Sequence, residues 1–100
     1  MPAYVIANVE VYDPEAYAEY TQTTPASVAA HGGRFLARGG HAEVLEGTLL
    51  PRRVVLIEFP DVDAARAWWG SDDYRSRADQ RRMASRGDFL IVEGLAEGDG

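Results

Sequence analysis

The sequence contains no cysteine and no lysine. Without a thiol there is no disulfide, thiolate metal site or cysteine nucleophile, and without an ε-amine there is no Schiff-base chemistry. All ten basic residues are therefore arginine, which reads either as a demand for planar bidentate pairing or as a codon bias toward GC-rich triplets. Long apolar runs are missing as well: no stretch approaches the roughly 18 residues of a membrane span. The start, MPAYVIANVEV, has no basic segment leading into an apolar one, so the expected location is the cytoplasm. A net charge of −6 disfavours nucleic acid and anionic membranes as partners. No phosphate loop, nucleophile elbow or zinc-binding helix motif occurs, and the two histidines lack ligand spacing, so no metal or cofactor is expected.

What is present suits a folded domain. The chain is 46% hydrophobic and 26% charged, far from disordered composition. One hundred residues supply one core. Residues 1–95 are expected to form a single domain, and AEGDG, residues 96–100, a disordered tail.

AYVIANVEV, residues 3–11, reads as a strand with Val5, Ala7, Val9 and Val11 on one face and Tyr4, Ile6, Asn8 and Glu10 on the other. Asp13-Pro14-Glu15 starts a helix whose stripe is Tyr17, Tyr20, Thr24 and Val28. Pro25 is expected to kink or divide it, and Gly32-Gly33 to end it. Arg34 to Arg38 is a short strand with Phe35 and Ala37 on one face and Arg34, Leu36 and Arg38 on the other. After Gly39-Gly40 the chain is expected to extend again from His41 to Glu46. RVVLIEF, residues 53–59, is the clearest strand. Asp61 caps a helix carrying Val62, Ala65, Trp68 and Trp69; Gly70 breaks it and Ser71 recaps a second, anchored by Tyr74, Ala78 and Met83. FLIVEG, residues 89–94, is the last strand.

This order predicts an α+β fold, a ferredoxin-like βαββαβ protomer: a four-stranded antiparallel sheet with helices on one face. The other face carries Tyr4, Ile6, Leu36, Val54 and Leu56, too apolar to stay wet, so a homodimer through the sheet face is expected.

AYVIANVEVYDPEAYAEY, HGGRFLARGG, EVLEG, RRVVLIEFPDVDAARAWW, SDDYR and FLIVEG together resemble a small bacterial domain-of-unknown-function family of the dimeric α/β-barrel superfamily, over residues 3–94. The resemblance implies two sheets paired around a lumen. Superfamily relatives include cofactor-free monooxygenases of antibiotic biosynthesis, muconolactone isomerase-like enzymes and haem-dependent chlorite dismutases, so it implies fold more than chemistry.

If the second face lines a lumen, parity places Asn8, Arg38 and Glu58 there. A buried carboxylate needs a cation, which makes Arg38 the expected partner of Glu58. The pair reads either as a structural ion pair or as a catalytic acid–base group with an arginine holding a substrate oxyanion. His41, after the glycine break, is a further proton-carrier candidate, whereas His31 reads as a helix-end cap. Adjacent Trp68 and Trp69 cannot both face the core, so Trp69 is expected to roof a cleft near Tyr74. The arginines from Arg75 to Arg86 read mostly as helix-surface charge; Arg81, a heptad after Tyr74, falls on the packed side. The expected catalytic residues are thus Glu58, Arg38 and His41, and the expected ligand contacts Asn8, Trp69, Tyr74 and Arg81. The function expected is cofactor-independent acid–base chemistry of isomerase, cyclase or monooxygenase type on a small hydrophobic ligand. The alternative is a non-catalytic ligand-binding or stress-related accessory module. Haem binding has only analogy and a histidine behind it.

Overall fold

The computed structural model describes residues 1–96. The expected tail therefore lies outside the described residues, Ala96 apart. The elements are β1 (Ala3–Val11), α1 (Pro14–Ala30), β2 (Arg34–Arg38), β3 (Arg53–Phe59), α2 (Val62–Gly70), α3 (Asp72–Ala84) and β4 (Ser85–Glu93). The strands form one antiparallel sheet in the order β2-β3-β1-β4, the ferredoxin-like arrangement, with the helices on one face. No described helix is long and apolar enough to cross a membrane.

The helix starts follow from local chemistry. Asp13, Asp61 and Ser71 each accept a bond from the backbone N–H three residues on, at 3.2, 2.7 and 3.1 Å, satisfying donors that have no partner inside a helix. His31 closes α1 and Gly32 turns the chain with φ +77°. On β1 the alternation holds residue by residue: Ala3, Val5, Ala7 and Val9 are buried beneath the helices. With Val55, Ile57 and Phe59 of β3 they pack against Tyr17, Tyr20, Val28, Trp68 and Tyr74.

Four expectations are corrected. Pro25 does not divide α1, which runs unbroken from Pro14 to Ala30. The ring removes one N–H, but side-chain hydroxyls knit the helix around it: Thr24 donates to the Tyr20 carbonyl at 2.6 Å and Ser27 to that of Thr24 at 2.8 Å. The segment His41 to Glu46 is not a strand; residues 39–52 are irregular, because Gly39, at φ +75°, turns the chain off the sheet after β2. β4 begins at Ser85, four residues before the expected start, since the polar SRGD stretch pairs with β1 as fully as the apolar one. Gly87 permits this, as a Cβ there would lie 2.6 Å from the Asn8 carbonyl oxygen. Met83 is no anchor: it is 87% exposed, and the buried residues of that helix are Tyr74, Ala78, Arg81 and Ala84.

The most consequential departure lies in β2. Arg34 pairs with Glu58 and Phe35 with Ile57, but Ala37 then pairs with Leu56 and Arg38 with Val55, leaving Leu36 as a bulge. One extra residue inverts the face of everything after it. Arg38 therefore stands with Val55 on the helix side, while Arg34 remains on the open side.

Candidate functional site

Between the helix side of the sheet and α1 lies a cavity walled by Val55, Ile57, Phe35, Trp68 and Phe89, with Tyr17, Tyr20, Thr21, Thr24, Arg38 and Arg53 as its polar lining. Its volume is about 30 Å³, room for about one water. Among the described residues, no carboxylate and no imidazole lines it.

Behind the cavity runs a chain of polar groups. Arg81 on α3 is 3% exposed and meets no carboxylate among the described residues. Its Nε donates to the Tyr74 hydroxyl at 3.3 Å, and the Tyr74 and Tyr20 hydroxyls are 2.8 Å apart. A guanidinium only donates, so the Tyr74 oxygen accepts from it, and either hydroxyl can donate across the Tyr74–Tyr20 bond. With Tyr74 donating to Tyr20, the Tyr20 proton is left for a third acceptor, and Tyr20 is the member of the chain that lines the cavity. The cation at the back polarises both hydroxyls in the same sense. Arg81 is held flat by the Phe89 and Trp69 rings, 4.2 and 5.9 Å from its guanidinium carbon. Burial, reinforced by the neighbouring Tyr74, pushes the Tyr20 hydroxyl far above the usual tyrosine range, so it stays protonated.

At the rim stand two more arginines without carboxylate partners among the described residues. Arg53 lies 5.5 Å from the centre of the Tyr17 ring, and its Nε is buried with no hydrogen-bond partner. Burial raises the Tyr17 hydroxyl as well, with the Arg53 charge opposing that rise. Arg38 donates through Nη2 to the Thr21 carbonyl and lies 4.6 Å from the Phe35 ring centre. That carbonyl is the one Pro25, four residues on, cannot bond.

The sequence-expected residues divide accordingly. Arg38 does not pair with Glu58, because the β2 bulge sends it through to the helix side; the arginine on Glu58 is Arg34, at 2.8 Å. Asn8 lies on the open side with both ends of its amide occupied: Nδ2 donates to the Leu50 carbonyl at 3.0 Å and Oδ1 accepts from the Arg52 N–H at 2.8 Å. It fastens the irregular segment to the sheet. His41 is exposed on that segment, and His31 Nδ1 lies 3.0 Å from the Ser27 carbonyl oxygen. Neither histidine lines the cavity, so the residues there do not fit a haem. Trp69, Tyr74 and Arg81 do come together, Trp69 half-buried and 5.6 Å from Tyr74 between ring centres. Tyr17, Tyr20 and Arg53 went unrecognised as site residues. Tyr17 and Tyr20 share a helical stripe with Thr24, and Arg53 shares strand parity with Val55 and Ile57; those signals read equally well as core.

Residues 2–95 match the model of a family described as a domain of unknown function (DUF1330). A comparison with curated proteins gives no match. Among solved structures, a protein of unknown function from Rhodopseudomonas palustris is similar with a TM-score of 0.74 and 20% identity over 95% of this chain and 83% of that one. SnoaB, a cofactor-independent oxygenase from Streptomyces nogalater, is similar at TM-score 0.66 and 17% identity, over 99% of this chain and 98% of its own. HapK from Hahella chejuensis follows at TM-score 0.62 and 14% identity, over 98% and 97%. These likenesses establish the fold, a ferredoxin-like four-stranded antiparallel sheet covered by helices.

Proposed function

The chain belongs to the DUF1330 family, and on that premise we propose that it is an enzyme-like binder of a hydrophobic, enolisable small molecule. The ligand sits in the cavity between helices and sheet and undergoes acid–base chemistry that draws on no cofactor. The observation that carries this reading is the hydroxyl chain from buried Arg81 through Tyr74 to Tyr20 on the cavity wall. A protonated donor backed by a fixed cation in an apolar surround stabilises negative charge developing on a ligand oxygen, and it costs no reorganisation at the moment of reaction. The enolate forms as water takes the proton beside the carbonyl, no carboxylate or imidazole lining the cavity among the described residues. Held this way it is electron-rich enough to isomerise, to close a ring or to meet dioxygen. SnoaB's description as a cofactor-independent oxygenase agrees with the last of these.

A cavity of about 30 Å³ is far below the roughly 300–1,000 Å³ of a small-molecule site. Binding therefore requires the cavity to open, and the part best able to move is the irregular segment 39–52, which adjoins Arg38 and Arg53.

The test is solvent deuterium exchange into an aryl ketone such as 2-tetralone, followed by NMR. The protein is expected to accelerate exchange beside the carbonyl by about 100-fold, the lower end of acid–base contributions. Tyr20→Phe and Arg81→Met should each lose most of that gain. The lack of a carboxylate or imidazole in the cavity favours a second reading, a non-catalytic ligand-binding module. A ketone that binds with no faster exchange would establish that module and overturn the enzyme.

A further inference from the structure

We propose that Arg38 and Arg53 form a carboxylate clamp at the mouth of this cavity, so that the ligand is a carboxylic acid with an aromatic body. The inference rests on the cavity reading above and adds the substrate class. The β2 bulge sets Arg38 opposite Val55, and Arg53 lies two residues before Val55 on the same face of β3. The two are thus diagonal neighbours on adjacent antiparallel strands, within reach of one another for side chains of this length. Like charges so placed repel, and no described carboxylate lies within ion-pair distance of either.

Both guanidiniums are held ready. Arg38 is fixed by the Thr21 carbonyl and the Phe35 ring, Arg53 by the Tyr17 ring. Gly39 is part of the device, because a side chain there would run into the Arg53 guanidinium. The buried Nε of Arg53 has no acceptor, an omission that an arriving anion repairs. Two planar forks match a planar two-oxygen anion, since guanidinium and carboxylate pair through parallel bonds. Beyond the rim the walls are Phe35, Val55, Ile57, Trp68 and Phe89, surfaces for a flat hydrocarbon body and not for a second charge.

Calorimetric titration of the full chain with 2-naphthoate and its neutral isostere 2-naphthamide tests this. The acid is expected to bind at least ten-fold more tightly than the amide. Arg53→Met and Arg38→Met should each abolish the preference, and Arg53→Lys, which keeps the charge without the fork, should reduce it. Arg34→Gln, on the opposite face of the sheet, should leave it intact. Equal affinity for acid and amide, or a preference that survives loss of either arginine, overturns the clamp. If that happens while the tetralone exchange is still accelerated, the cavity reading stands without it; if none of the three ligands binds, both fall.

Discussion

Arg81 is a cation buried to 3% exposure with no anion beside it among the described residues, a placement that costs stability unless something else uses it. Exchanging a buried charge for an apolar side chain of similar length is commonly neutral or stabilising by about 1–4 kcal/mol. Arg81→Met is therefore expected to melt at or above the native temperature while losing the acceleration of ketone exchange. A loss of more than about 2 kcal/mol, the range of a broken buried hydrogen-bond network, would instead mark the residue as a structural fastening. The tyrosines carry a separate prediction. Burial raises the folded-state ionisation of Tyr17 and Tyr20 above the ordinary value of 10.0. Below that pH both states hold the proton and stability is flat; above it the unfolded chain releases protons that the folded chain keeps, so stability falls. The slope is about 1.4 kcal/mol per pH unit for each proton. Melting temperatures measured from pH 8 to 11 should drop beyond about pH 10, and Tyr20→Phe should make that drop shallower. An unchanged slope in the variant would refute the assignment.

At the scale of elements, α1 and β2 are joined by a reciprocal defect. Pro25 deprives the Thr21 carbonyl of its helical donor, and the β2 bulge delivers Arg38 to the same oxygen. If this is the bond's structural role, it disappears when the helix repairs itself. Arg38→Met should cost about 1 kcal/mol in the native background and close to nothing alongside Pro25→Ala, in which the restored N–H takes the carbonyl. A double-mutant cycle in urea measures the coupling, and additive costs would disprove it. The same cycle separates stability from binding, since Arg38 should remain necessary for carboxylate preference in both backgrounds.

At the scale of the whole molecule, the open face of the sheet presents Leu36, Leu90 and Val92 at 46, 51 and 42% exposure, around Ile6, Val54 and Leu56. We propose that two copies meet on this face. The ion pairs Arg34–Glu58 and Arg86–Glu10, at 2.8 and 3.2 Å, lie on the same side and give it polar ground among the apolar residues. Leu36→Glu with Leu90→Glu changes only side chains that the single chain leaves exposed. The pair should convert a sedimenting dimer to a monomer, with melting that no longer depends on concentration. A dimer that persists would place the interface elsewhere.

The sequence by itself determined the element order, the three helix caps and the two faces of β1 and β3, because each depends on a local pattern: a cap residue three positions before its N–H, or a period of two along a strand. It also put Arg81 on the packed side of its helix, since a heptad from Tyr74 returns to the same stripe. Only the tertiary structure decided which face Arg38 occupies. A bulge is a relation between two strands, and nothing in RFLAR distinguishes five residues opposite five from five opposite four. For the same reason the sequence paired Glu58 with Arg38 where the structure pairs it with Arg34, and put on the open face an arginine that stands with Arg53 on the helix side. Nor could spacing reveal that Tyr20 and Tyr74, 54 residues apart, share one hydrogen bond. Such contacts exist only once the helices have packed, and they join Tyr20, which read as core, to Tyr74 and Arg81, which the sequence offered as ligand contacts.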